Sequence, residues 1–206
     1  MTLPLTGVPI KPFGVAKARL APALDRAARS RLGRRIATRT LETVAATGAH
    51  PAVVTADRGV AAWAVRHGWA VVEEPAGGGL DGAAAALVAA AGGRPWAVLH
   101  ADLPMLAPSD LEAAWAALAS GPVLSPSHDG GTSFVAAHGP AVFSYGAGSF
   151  HRHLRRLPRA TVLVRPGLAL DLDTVADLVV AMRLAAGQWL GETRQRVTTG
   201  RPPVVP

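Results

Sequence analysis

Apolar residues along the chain gather in short runs, separated by stretches in which they recur at helical spacing. "VPIK" reads as a first strand that stops at Pro12, since proline has no N–H to offer a ladder. The loop "PFGVAKARL" follows. Asp25 can then accept free amides at the start of a helix running to about Thr47, with Leu32, Ile36 and Val44 on its apolar side. "PAVVTAD" predicts a second strand, "VAAWAVRHG" a short helix closed by Gly68, and "WAVVEEP" a third strand. "GGGLDGAAAALVAAAGG" predicts a glycine turn opening an alanine-rich helix, with Asp81 as its cap. "WAVLHAD" is the fourth strand, after which Ser109 caps "DLEAAWAALAS". "GPVLSPS" and "TSFVAAH" supply two further strands, and "TVLVRPGLAL" one or two more. Thr174 or Asp173 caps a last helix from about Val175 to Leu190.

This alternation predicts one α/β domain over residues 1–190, built as an open, mainly parallel sheet with helices on both faces. Ligands of such sheets bind beyond the carboxyl ends of the strands, where strand order reverses. Residues 191–206, "GETRQRVTTGRPPVVP", read as a tail that frays or packs on a neighbour, so a homodimer stays open.

Composition narrows the class. Half of the 206 residues are hydrophobic (50%) and only 17% are charged, ample for a core packed by Ala, Val and Leu. The absence of cysteine excludes disulfides and thiolate metal sites and suits a cytoplasmic protein. "MTLPLTGVPIKPF" lacks a signal-peptide core, and no run approaches the roughly 20 apolar residues that span a bilayer. The expectation is a soluble, intracellular protein with no membrane partner. The net charge of +7 asks for an anionic partner. Arginines cluster in "RAARSRLGRR", "HRHLRRLPR" and the tail, too patchily for a nucleic-acid stripe, and no zinc-finger or RNA-binding motif occurs. A small polyanion such as a nucleoside triphosphate also accounts for the excess.

Candidate chemistry sits at the strand ends. Lys11, Lys17 and Arg19 follow the first strand and can neutralise a triphosphate, although the P-loop spacing is absent. Gly77, Gly78 and Gly79 bare their amides before a helix, where a phosphate or base edge can approach. Asp102 ends the fourth strand just before Pro104, and a carboxylate there is costly without a partner or metal. Asp171 and Asp173, two apart in an extended stretch, share one side. With Asp102 they make a hard-oxygen set suited to magnesium, which also binds substrate phosphates. In the competing reading Asp102 caps a turn, Asp173 caps the last helix, and Asp171 and Asp177 are surface charges. Thr132, Ser133, Gly146 and Ser149 offer hydroxyls and free amides for a small phosphorylated acid, although Ser149 also suits a plain N-cap. His151 and His153 read as exposed or anion-facing, not as metal ligands.

Six of these motifs occur in a specific order: "VPIKPFGVAKARLAP", "GGGLDGAAAAL", "ADLPML", "DGGTSF", "YGAGSF" and "LDLDT". Together, from about Val8 to Leu178, they resemble the 2-phospho-L-lactate (phosphoenolpyruvate) guanylyltransferase family of coenzyme F-420 biosynthesis. The resemblance implies a single-domain nucleotidyltransferase fold of the Rossmann-like kind shared with molybdenum-cofactor guanylyltransferases and GT-A glycosyltransferases. It implies GMP transfer from GTP to 2-phospho-L-lactate or phosphoenolpyruvate, sometimes 3-phosphoglycerate, with pyrophosphate released. Asp102, Asp171 and Asp173 take the place of the family's metal-binding carboxylates, here for two magnesium ions. Thr132, Gly146 and Ser149 match its acceptor-binding residues, and Lys11 and Lys17 its first-loop lysines. Lys17 and Asp102 are then the catalytic pair, and Gly78, Gly79 and position 81 meet the nucleotide with Arg19. This chain carries Asp81 where members usually have asparagine, which bears on guanine selection, and Tyr145 in place of a more usual phenylalanine, expected to be harmless. Handover of the product to the next pathway enzyme fits that role. The alternatives are a related nucleotidyltransferase with a pterin or sugar phosphate acceptor, and a basic nucleic-acid-binding module without turnover.

Overall fold

A computed structural model of the chain describes residues 2–15 and 17–193. Its strands are β1 (Leu5–Pro9), β2 (His50–Thr55), β3 (Ala70–Glu73), β4 (Trp96–Leu99), β5 (Val123–Pro126), β6 (Thr132–Ala137) and β7 (Thr161–Val162). They form a single sheet in the order β3-β2-β1-β4-β6-β5-β7. All neighbours are parallel except β6, which runs antiparallel to both β4 and β5. Five residues, Ser127 to Gly131, join β5 to β6, far too short for a parallel crossover. The reversal has a functional consequence: β1, β4 and β5 bring their carboxyl ends to one edge, whereas β6 brings its first residue, Thr132.

The helices are α1 (Arg26–Ala46), α2 (Arg58–Arg66), α3 (Gly79–Ala91), α4 (Pro108–Leu118), α5 (Ser149–Arg156), α6 (Pro166–Ala169) and α7 (Val175–Arg183). Strand alternation distributes the core to both faces of the sheet. Ala97 and Leu99 of β4 pack with α4 and the end of α1, whereas Trp96 and Val98 pack with α3. Gly7 of β1 permits that second contact, because a Cβ there would meet Leu87 of α3 at 2.5 Å. A further stripe of α1, Leu32 and Ile36, packs on Leu172, Leu178 and Ala181, tying α7 to the domain.

The capping chemistry explains most boundaries. Asp25 Oδ1 accepts the Ala28 amide at 2.6 Å, as the sequence predicts. Thr174, not Asp173, is the N-cap of α7, and the Asp177 carboxylate reaches back to the Thr174 amide. "TVLVRPGLAL" supplies one of the one or two strands expected, the two-residue β7, and then the short α6, since Pro166 turns the chain into a helix. Two expectations are corrected. α4 is not capped by Ser109: it begins at Pro108, whose fixed φ suits a first helical residue, with Asp110 closing onto the Ala107 amide. α7 stops at Arg183, where Leu184 turns extended and a 3-10 helix, Ala185–Thr193, follows. Most of the expected tail, from residue 194 on, lies outside the described residues. No helix among the described residues is long and apolar enough to cross a membrane.

Candidate active site

The loop leaving β1 folds against the carboxyl edge of the sheet, where a cavity of about 290 Å³ opens between it, α1 and the start of α3. Lys11, Phe13 and Lys17 line it from the loop, Glu74 and Gly79 from the β3–α3 connection, and His100, Asp102 and Asp173 from the far side. Lys17 adopts a left-handed backbone (φ 61°, ψ 36°), rare for a side chain bearing a Cβ and worth roughly 1–2 kcal/mol of strain. That conformation delivers its ammonium to two carboxylates at once: Nζ lies 2.6 Å from Asp102 Oδ2 and 3.1 Å from Asp173 Oδ1.

The titrations of Lys17 and Asp102 follow from this grip. Burial pushes the Lys17 ammonium toward deprotonation, but Asp102 and Asp173 overcome it and raise the pKa. Burial alone would raise the Asp102 pKa, and Lys17, with help from His100, instead holds it below the usual carboxylate range. The main-chain carbonyl of Asp102 also accepts the Leu172 amide at 2.9 Å, docking the 171–173 segment onto the edge. Asp171 takes a different partner. Its Oδ1 lies 2.8 Å from Nδ1 of His128, whose Nε2 is 3.3 Å from Asp177 Oδ1. Burial, then repulsion from Asp102 and Asp129, raises the Asp171 pKa. Asp171 and Asp177 are both buried, not surface charges.

No group of three metal-ligating side chains is assembled among the described residues. The donor chemistry nevertheless suits a hard cation: Asp102 Oδ1 is buried without a hydrogen-bond partner, with His100 Nδ1 4.0 Å away.

A second cluster lies at the start of β6. Thr132 is 1% exposed, and its Oγ1 meets Ser149 Oγ at 3.1 Å and His153 Nδ1 at 2.9 Å. Ser149 is therefore not a cap; Gly148, left-handed at φ 66°, occupies the N-cap of α5. His153 is buried, contrary to the sequence expectation, while His151 is exposed. It stands one helical turn beyond Ser149, on the face turned to β6, and that i, i+4 spacing is the signal by which the sequence could have revealed it. Burial brings its pKa down to about 4, with Arg156 and Arg152 opposing protonation and Asp81 partly offsetting them.

Residues 143–148 are strapped around this cluster. Arg152 donates to the carbonyls of Ser144, Tyr145 and Ala147, and Arg156 to that of Phe143. Asp81 does not cap α3, which starts from Gly78; its Oδ1 accepts the Tyr145 amide at 2.7 Å instead. The Tyr145 hydroxyl is buried without a hydrogen-bond partner, so tyrosine here is not neutral. Its ring lies 5.9 Å from that of His100, which joins the two clusters.

Of the sequence candidates, Lys11, Lys17, Gly79, Asp102 and Asp173 share the cavity, with Gly78 beside it as the α3 N-cap. Thr132 and Ser149 share the second cluster, whose strap carries Gly146 and receives Asp81. Arg19 is exposed and outside the cavity lining. The sequence reading gives no role to His100, His128 or Arg152, and takes His153 as exposed or anion-facing, where the structure buries it.

Residues 8–169 match the family described as the MobA-like NTP transferase domain. A phosphoenolpyruvate guanylyltransferase of Geodermatophilus obscurus is 37% identical over 87% of this chain and 88% of its own. The enzyme of that name from Rhodococcus erythropolis is 36% identical, over 87% and 90%. The chain belongs to this family. It is a nucleotidyltransferase of the MobA-like kind, in the branch that holds the phosphoenolpyruvate guanylyltransferases. Fold likeness agrees: the crystal structure of a Desulfovibrio desulfuricans protein assigned as a nucleotide-diphospho-sugar transferase superposes with a TM-score of 0.78. That likeness covers 97% of this chain and 98% of the other at only 15% identity. For this nucleotidyltransferase, then, the sheet edge holding Lys17, Asp102 and Thr132 is the candidate place of transfer.

Proposed function

We propose that the chain transfers GMP from GTP to phosphoenolpyruvate or 2-phospho-L-lactate, releasing pyrophosphate, as a step of coenzyme F-420 biosynthesis in the cytoplasm. The observation that carries this reading is the Lys17 ammonium, held by Asp102 and Asp173 at the rim of a cavity whose other side leads through His100 to the Thr132 hydroxyl. GTP occupies the cavity, with Lys11 and the amides at Gly78 and Gly79 on its phosphates. The phosphorylated acid lies against Thr132, Ser149 and the amides around Gly146.

An oxygen of the acceptor's phosphate attacks the α-phosphorus of GTP. A new P–O–P linkage forms as the bond to the β-phosphate breaks, and pyrophosphate leaves with that electron pair. The attacking phosphate is already anionic at neutral pH, so no side chain must remove a proton. The residues act by positioning and by neutralising charge. Lys17 exchanges its carboxylate partners for the triphosphate and follows the charge that develops on the leaving group. Asp102, Asp171 and Asp173 would hold two magnesium ions. When bound there, magnesium supplies positive charge between the two anions and along the leaving pyrophosphate.

Pyrophosphate release from GTP with magnesium is measured against phosphoenolpyruvate, 2-phospho-L-lactate, 3-phosphoglycerate, a sugar phosphate and a pterin phosphate. Mass spectrometry identifies the product, with the next pathway enzyme present to draw it off. Release that depends on a three-carbon phosphorylated acid supports the reading. Release driven only by a sugar or pterin phosphate refutes it.

A further inference from the structure

His153 is buried between the acceptor-side hydroxyls and the strap, and its two ring nitrogens have partners that dictate each other. Nε2 lies 3.0 Å from the backbone nitrogen of Ser144. A backbone N–H only donates, so Nε2 must bear a lone pair, and the ring is neutral with its single proton on Nδ1. That Nδ1–H faces Thr132 Oγ1 at 2.9 Å and only donates to it. Thr132 and Ser149 have two hydroxyl protons between them, and their mutual contact at 3.1 Å consumes one. With Nδ1 acting as a donor, the second proton has no acceptor within the cluster. Were the ring in its other tautomer, Nδ1 would take that proton and the cluster would offer a ligand nothing but lone pairs.

We infer that His153 is a positioning residue: by taking the Ser144 amide at Nε2 and giving Nδ1–H to Thr132, it keeps one hydroxyl proton of the Thr132–Ser149 pair free for the acceptor's anionic group. The inference rests on Thr132 and Ser149 contacting the acceptor, and it adds the residue that sets their polarity. The charged and titratable groups facing the ring are Arg152 and Arg156 on α5, Asp81 on α3, His100 beyond β4 and the Tyr145 ring. The two arginines and burial all disfavour an imidazolium, which would set an N–H against the Ser144 N–H.

Two variants and one spectrum test this. His153→Phe fills the space and removes both ring contacts. His153→Asn retains an N–H at the position of Nδ1. In His153→Phe the second proton stays free but nothing fixes the rotor of the Thr132 hydroxyl, so the proton is no longer held toward the acceptor, and the KM for the phosphorylated acid should rise by up to about 10-fold, the range of one neutral hydrogen bond. The KM for GTP should stay near the wild-type value, and His153→Asn should recover most of the loss. Nitrogen-15 NMR of the wild-type imidazole should show the Nδ1–H form, neutral down to about pH 5. An unchanged acid KM in His153→Phe, or an Nε2–H ring in the spectrum, overturns the inference. Equal losses in both variants with GTP and acid affected alike would mean a merely structural role and overturn it too. If the wild type turns over neither three-carbon acid, the guanylyl-transfer reading fails by itself. The tautomer then decides this inference: Nδ1–H upholds it and Nε2–H defeats it.

Discussion

Replacing Lys17 by methionine keeps the length and apolar stem of the side chain and removes the one charge on which two carboxylates converge. The Lys17 side chain is 8% exposed and that of Asp102 24%, so their attraction operates largely out of bulk water. Removing one member of a buried ion pair costs about 3–5 kcal/mol, because the partner stays buried and uncompensated. Asp173 is 44% exposed and water can take over its solvation, which argues for the lower end of that range. The expected loss is therefore about 3 kcal/mol at pH 7 and low salt, out of the 5–15 typical of a domain. The sign of its pH dependence follows from Asp102. In the wild type its pKa lies below the unfolded value, so its contribution is present above that value and lost as pH falls through the folded pKa. In Lys17→Met burial acts unopposed by the ammonium, the folded pKa rises above the unfolded one, and stability now falls as pH climbs between them. The deficit should thus be largest at neutrality, shrink as pH falls toward 4, and shrink further below that, through the depressed folded pKa of Asp102. Urea unfolding of the wild type, Lys17→Met, Asp102→Asn and the double variant measures both the loss and the coupling. Magnesium should raise the midpoint of Lys17→Met more than that of the wild type, since the ammonium no longer competes for Asp102. A Lys17→Met protein within about 0.5 kcal/mol of wild type, the scatter of ordinary surface substitutions, would refute the reasoning.

Other outcomes are equally specific. Asp102→Asn should lower pyrophosphate release from GTP by about 100-fold or more, while its circular dichroism and cooperative unfolding persist; near-normal release would remove Asp102 from the reaction. His153, neutral in the fold with a pKa of about 4, should make the protein lose about 3 kcal/mol as pH falls from 6.5 to 4, because the unfolded chain binds the extra proton. His153→Asn should flatten that limb of the stability curve in calorimetry. Tyr145→Phe deletes a buried, unpartnered hydroxyl and should raise stability by about 1 kcal/mol, read as a higher urea midpoint at unchanged slope. Gly167→Ala should destabilise by at least the roughly 1–3 kcal/mol of overpacking, since the new Cβ would lie 1.9 Å from Asp110 Oδ2 and 2.9 Å from the Met105 carbonyl.

The strand and helix alternation was readable because period-two and helical patterns coincide here with clear caps such as Asp25. Asp102 stood out for a local reason: a carboxylate three residues past the end of a strand whose four residues are all buried. What it touches was not local. Lys17 lies 85 residues before Asp102 and 156 before Asp173, and no spacing rule links such distances. The direction of β6 is likewise invisible to periodicity, which reads the same forwards and backwards; only the brevity of the "SHDGG" connection carries it. The "TVLVRP" stretch forms a strand as its β-branched residues suggest, but only Thr161 and Val162 pair with β5, and Val164 is 70% exposed. Asp81 misled, since an acidic residue in a first helical turn looks like a cap until a neighbouring loop claims it.

The reversed sixth strand divides labour along the chain. Residues around the cavity come mostly from before Asp102, whereas the hydroxyl cluster and its strap come wholly from beyond Thr132. Between them runs α4, which packs on the core and contributes no side chain to either group. A crossover within α4 would therefore join the donor-handling half of one relative to the acceptor-handling half of another, leaving each set of contacts whole except the Asp81 tie and the carboxylates at 171 and 173. Recombination, natural or engineered, has a built-in seam through which such a protein could change the acid it modifies without relearning the nucleotide it spends.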